Sequence, residues 1–218
     1  MQSTAKYPSI ETVPIMKILF MALLFYVAWF GKDLIMVLNY GTLKGHDDYL
    51  RLYQVLSWVN GQNWNDLTAY RMLPPVGADI HWTRIVDVPI AGYIKLFSYG
   101  TDLNTAIKLT AIFWPLSLFL AAIFLLVTIC DYLIPNYNRY YVLLFAVFCI
   151  STMVEFAPGR LDHHNAQIIL LLAVILGMLM QHSLLSSFLI GMSIPLSFSI
   201  GLDAAILFIP VLIYIGLE

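Results

Sequence analysis

Charge is what this sequence has least of. Only 11% of its 218 residues are charged, against 61% hydrophobic, whereas soluble domains carry about 25% charged residues. That shortage excludes an ordinary water-facing surface and implies an all-α, polytopic membrane protein. Positive charge is also short: the net charge is −2, so no nucleic-acid partner is expected. There are two cysteines, Cys130 and Cys149. Both lie on or beside apolar runs, without disulfide or metal-motif spacing, and read as small hydrophobes. A cleavage site of the small-x-small kind is missing after the first apolar run, which therefore reads as an uncleaved span rather than a signal peptide.

What is present is a series of long apolar runs. Residues 1–14 form a polar lead with Pro8 and Pro14. The first span covers Ile18–Gly31 and continues past Lys32-Asp33 through Leu34–Leu38. The second covers Leu109–Ile129, the third begins at Tyr140, and the fourth covers Ala166–Met180 after a short tight turn. Gln181–Ser186 is a tight connection. Residues 187–217 would run about 46 Å as a single helix, too long for one crossing. They are expected to split into two short spans hinged at Asp203, giving six spans in a single transmembrane domain over 1–218.

The 39–105 segment is a long extramembrane loop with structure of its own. Leu52, Tyr53, Leu56 and Val59 repeat at helical spacing, with Asp47 or Asp48 placed as N-cap and Gly61 as stop. A second helix carries Val88, Ala91, Tyr93, Ile94 and Phe97 and ends near Gly100. Both are expected to lie along the membrane surface. Between them, Leu73-Pro74-Pro75-Val76-Gly77 forces a turn and extended chain.

Alternation of the spans places this loop, the 160–165 turn and the Asp203 hinge on one side of the membrane. Asp33, Asp47, Asp48, Asp66, Asp79, Asp87, Asp102, Glu155, Asp162 and Asp203 gather there, together with His46, His81, His163 and His164. The opposite side keeps Lys6, Lys17 and Arg139. The positive-inside rule then puts the N-terminus in the cytoplasm and the acidic face outside.

Two clusters on that face could bind a cation: Gly45-His46-Asp47-Asp48 and Arg160-Leu161-Asp162-His163-His164-Asn165. Ionisable groups at a membrane edge are costly and usually mark function. Carboxylate with imidazole suits Mg²⁺, Mn²⁺ or Zn²⁺. Pro158-Gly159 favours non-helical backbone, in which Asp162 and His164 share a face and His163 points away. Asp47 is expected as the third ligand. The blander roles are caps: Asp162 for the fourth span, Asp47 and Asp48 for the surface helix, and a helix break at Asp203.

The segment Gly45-His46-Asp47-Asp48-Tyr49-Leu50-Arg51 resembles the first acidic motif of the GT-C glycosyltransferases, closest to the catalytic subunits of oligosaccharyltransferases. Gly159-Arg160-Leu161-Asp162-His163-His164 resembles their second motif, Asp-x-Asp, or the Asp-x-His of archaeal members. The resemblance implies that Asp47, Asp162 and His164 bind Mg²⁺ or Mn²⁺. The metal in turn holds the diphosphate of a polyprenyl-linked sugar donor. It also implies two surface helices in the first external loop. It covers the N-terminal part of such an enzyme, and the family's C-terminal Trp-Trp-Asp-Tyr-Gly motif is absent from this sequence. The expectation is a truncated or reduced module, with a further polypeptide supplying the missing half.

The function expected from this is metal-assisted transfer of a glycosyl group to an acceptor on the external face. Asp47, with Asp48 beside it, would orient or deprotonate the acceptor. Arg51 or Arg160 would pair with a phosphate oxygen. His163 and Asp203 are further candidates for the site. The rival readings are a transporter with Glu155, Asp162 and Asp203 as a relay, and a non-catalytic membrane assembly subunit.

Overall fold

The computed structural model describes residues 13–180 and 183–217 and is almost wholly helical. The polar lead up to residue 12, the beginning of the 181–186 connection and Glu218 lie outside the described residues. The first apolar run forms two helices, α1 (Ile15–Trp29) and α2 (Gly31–Tyr40), bent by 68° at their junction. Phe30 leaves helical geometry there, with φ −100° and ψ 17°. Gly31, which holds helix poorly, begins the second piece. Gly41, at φ +67°, closes α2 with a left-handed cap.

The 39–105 segment contains α3 (His46–Val59), the two-residue strands β1 (Thr68–Ala69) and β2 (Ala78–Asp79), and α4 (Asp87–Ser98). The strands pair antiparallel with Thr68 opposite Asp79. Both expected loop helices are present, but α3 does not lie with its apolar stripe as its most buried face. Its buried residues are Asp48, Arg51, Gln54 and Val55, and Val59 is exposed. The polar side of α3 turns inward because it meets the 160–165 turn and the 82–87 segment, which supply its hydrogen-bond partners.

α5 (Leu103–Leu133) is the axis of the molecule and packs against α1, α2, α4, α6 and α8. It starts earlier than its apolar run because the Asp102 carboxylate accepts from the Asn104 and Thr105 amides. Of the described helices, α5 alone is long and apolar enough by itself to cross a membrane; α1 and α2 pass the same test taken together. The third apolar run is interrupted at Cys149 into α6 (Tyr140–Phe148) and α7 (Ile150–Glu155). α8 (His164–Leu179) and α9 (Leu184–Ile200) follow, then a 3₁₀ turn (Leu202–Ala204) and α10 (Ala205–Leu217). The break in the last apolar stretch thus falls at Gly201–Asp203, where the sequence places it.

The two apolar clusters built on α5 organise the interior. One joins Ile18, Ala22 and Tyr26 of α1 to Phe119, Ile123 and Val127 of α5 and to Met153 and Phe156. The other seats the loop helices on the first half of α5: Val55, Ile90 and Ile94 meet Ala111, Trp114 and Leu161. At the far end, Arg139 Nη1 donates to the Val13 carbonyl at 2.7 Å, so the start of α1 and the α5–α6 turn share one end.

A proline sets the height of the 160–165 turn. Pro115, inside α5, has no N–H to give the carbonyl four residues back. That carbonyl belongs to Ala111, and it accepts the Gly159 amide at 2.7 Å. Gly159 is at φ +90°, and a Cβ there would meet the Thr42 carbonyl oxygen at 2.8 Å. Only glycine fits a backbone that close and that handed. The Lys44 amide donates to the Gly159 carbonyl at 3.2 Å, tying the loop before α3 to the same point.

Candidate functional site

Three segments meet at the Pro158–Asn165 turn. From α3 comes Asp48, fully buried. Its Oδ1 accepts the amides of Leu161 at 2.7 Å and Asp162 at 2.9 Å. Its Oδ2 accepts the Gly45 amide at 2.7 Å and faces Arg160 Nη1 at 3.4 Å. Burial pushes the carboxyl's pKa up, against the pull of these backbone donors and of Arg160. Every polar neighbour is a donor, so the ionised form is the one its surroundings satisfy. Asp48 is therefore a clamp between α3 and the turn. Its oxygens are spent, which removes it as an acceptor-activating base.

Asp162 sits directly on this clamp. Its Oδ1 accepts the His163 amide at 2.7 Å and lies 2.6 Å from His163 Nδ1, and its Oδ2 lies 3.4 Å from His164 Nε2. Burial raises the Asp162 pKa, but the hydrogen bond and charge of His163 outweigh it and hold the group well below the usual carboxylate range. Donor atoms of Asp162, His163 and His164 all lie within 4.8 Å of one another, close enough to share one ion.

His163 does not point away as the alternation argument requires. Alternation holds only while the backbone is extended, and His163 already has helical angles, φ −90° and ψ −12°, as the residue before α8. The turn thus brings both imidazoles onto Asp162. His163 is 4% exposed and reaches Asp203 as well, with Nε2 3.1 Å from Oδ2. Burial works against its imidazolium, but Asp162 and Asp203 outweigh this and raise its pKa. The Asp203 carboxyl is lowered, first by this same hydrogen bond. Gly201 leaves the necessary room, since a Cβ there would stand 3.1 Å from His163 Nε2.

Asp47 is exposed on the first turn of α3. It is not part of the group that can share an ion with Asp162 among the described residues. Its neighbour took the inward position because successive residues on a helix point about 100° apart. Arg51 is likewise engaged inside the protein and not at a phosphate site. Its side chain is wholly buried, with Nη1 3.0 Å from Asp87 Oδ1 and 3.3 Å from the Thr83 carbonyl oxygen. Nη2 lies 3.3 Å from His163 Nδ1, and the guanidinium stands 4.5 Å over the Trp82 ring. At 0% exposure, no part of it is open to a phosphate. Arg160 keeps 18% of its side chain exposed while pairing with Glu155 at 3.1 Å.

Sequence reasoning missed the 82–87 segment. Asp87 is buried between Arg51 and Arg84, the latter at 3.4 Å. Arg84 also donates to the carbonyls of Gln54, Trp64 and Asp66. Trp82 Nε1 donates to Gln54 Oε1, and Thr83 Oγ1 donates to the Ser199 carbonyl at 2.7 Å. The available signal was the closeness of an aromatic, two polar side chains and an acid, Trp82 to Asp87, in a loop otherwise read for its helices.

Comparison of the chain with protein-family models, with curated proteins and with solved structures finds no match. Charge favours a cation at the cluster. Asp47, Asp48, Asp87, Glu155, Asp162 and Asp203 stand against Arg51, Arg84 and Arg160.

Proposed function

We propose that this chain is a metal-assisted glycosyl-transfer module of a membrane. It takes its sugar from a polyprenyl phosphate or diphosphate and delivers it to an acceptor on the external face. The observation that carries the reading is the Asp162–His163–His164 group, clamped through its backbone to Asp48 of the external loop. One carboxylate and two imidazoles suit Mn²⁺ better than Mg²⁺, which prefers oxygen alone. The ion would neutralise charge on the departing phosphate. Asp203 holds the second nitrogen of His163, as outer carboxylates do behind ligating histidines. Arg160 is the cation left at the rim for a phosphate oxygen. Asp47, exposed on α3, would orient or deprotonate the acceptor.

An apolar recess of about 230 Å³ supports a lipid-borne donor. Phe119, Ile123, Met153, Phe156 and Ile168 line it, and Phe156 adjoins Glu155 of the site. In this reading the bent pair α1–α2, α5, the broken pair α6–α7, α8, α9 and α10 are six crossings. The N-terminus is cytoplasmic and a further polypeptide completes the enzyme.

Metal titration tests the reading. The unmodified chain should bind Mn²⁺. Asp162→Ala, His163→Ala and His164→Ala should each weaken it by more than about tenfold, which losing even an outer partner can do. Asp47→Ala should keep Mn²⁺ and lose transfer from a polyprenyl-diphosphate sugar. A chain that ignores Mn²⁺, or binds it equally without Asp162, ends the proposal. Orientation is checked separately, in a background with Cys130 and Cys149 replaced by serine. A cysteine at Asp79 should react with an impermeant reagent outside the cell and one at Asn138 should not; the reverse pattern inverts the topology.

A further inference from the structure

A second concave site lies at the other end of α3, on the far side of the Gln54–Trp82–Arg84 layer. Its volume is about 750 Å³, and its lining includes Tyr53, Ser57, Asn60, Gln62, Asp66 and Arg71. That is the size range of small-ligand sites, but the lining is polar where such sites are usually apolar. Tyr53 follows Arg51 by two residues, so it faces roughly the opposite side of the helix from the metal-binding cluster.

The frame of this site is fixed. Arg84, 1% exposed, holds the Trp64 and Asp66 carbonyls from beneath. The Asp66 carboxylate is occupied by the Thr68 amide and the Tyr70 hydroxyl, each at 3.1 Å. Gln62 Nε2 donates to the Thr68 carbonyl at 2.9 Å. Against this frame stand unengaged groups. The Ser57 and Asn60 side chains make no hydrogen bond among the described residues. The Arg71 guanidinium has no carboxylate partner there and lies 5.6 Å over the Tyr53 ring.

The chemistry of these groups narrows the ligand. Hydroxyl, amide and guanidinium groups offer donors and acceptors together, and Tyr53 offers an aromatic wall. Asp66 and Arg71 cancel in charge. Asn60 and Gly61, at the C-terminal end of α3, are part of the lining, and the negative end of a helix disfavours a phosphate. We infer that this pocket binds a neutral saccharide, whose hydroxyls meet Ser57, Asn60 and Arg71 while its apolar face lies toward Tyr53. The inference does not depend on the metal reading of the Asp162 cluster.

The test is calorimetric titration of the full chain in detergent with maltose, mannose and N-acetylglucosamine, with glucose 6-phosphate and inorganic phosphate as anionic probes. At least one neutral sugar should bind with a Kd of about 1 mM or tighter. Asn60→Trp, which fills the pocket, and Arg71→Ala should each weaken that binding at least tenfold with unchanged far-ultraviolet circular dichroism. Asp162→Ala should leave sugar binding as it was. Absence of binding by every neutral sugar, binding of the phosphates alone, or undiminished sugar binding by Asn60→Trp and Arg71→Ala overturns the assignment.

Discussion

Asp87→Ala should cost about 3–5 kcal/mol of stability, the range found when one partner of a buried ion pair is removed. Asp87 is the carboxylate that faces two buried guanidiniums, Arg51 at 3.0 Å and Arg84 at 3.4 Å. Neither arginine has water to turn to, since both side chains are 1% exposed or less. Burial raises the Asp87 pKa and the two arginines pull it back, so the surroundings tolerate the carboxylate only because they are there. Asp87→Asn keeps one acceptor but leaves two buried positive charges, and should recover only part of the loss. Because Arg51 stands over Trp82 and beside His163, the damage should spread to the cluster and weaken Mn²⁺ binding as well. Thermal unfolding in detergent, followed by tryptophan fluorescence, reads the first effect. A melting temperature unchanged by Asp87→Ala would mean that the arginines find other partners and that the network does not hold the loop.

Asp48→Ala should separate clamp from ligand. It strands the buried amides of Leu161 and Asp162, at roughly 1–3 kcal/mol for each donor left unsatisfied. It also frees the backbone that sets Asp162, so Mn²⁺ affinity should fall by more than about tenfold although Asp48 is not a ligand. Asp48→Asn can still accept both amides through its one oxygen. Its NH₂ group would then face the Gly45 amide and Arg160, donor against donor. It should therefore lie between alanine and the unmodified chain in both stability and affinity. The comparison with Asp47→Ala is decisive, because that change should spare both quantities. If Asp47→Ala lost Mn²⁺ and Asp48→Ala kept it, the two aspartates would have exchanged the roles assigned to them here.

Much of the frame could be read from the chain alone. The apolar runs gave the helices, although α5 begins at Leu103, ahead of the run read as a span from Leu109. The break near Asp203 follows from a run too long for one crossing. The interruptions at Phe30 and Cys149 were less legible, because neither residue forbids helix and apolar residues continue on both sides of each break. The pairing of Pro115 with Gly159 was beyond local reading. A proline frees a carbonyl wherever it sits, and only the packing of α5 against the turn shows which amide takes it.

The same division runs through the site. The sequence by itself determined that the two polar segments, 45–51 and 159–165, are the places where ionisable groups stand between apolar runs, with carboxylate and imidazole as their chemistry. Only the tertiary structure decided which members of each segment do what. On α3 the choice between Asp47 and Asp48 is a rotation of about 100°, and contact with the Leu161 and Asp162 amides settles it. At the turn, both histidines reach Asp162 because His163 has already entered helical geometry, whereas Arg51, free on paper, is held by an aspartate 36 residues away. Hydrophobic period fixes which runs become helices; which polar face turns inward depends on partners distant in sequence, and those meet only when the chain is folded.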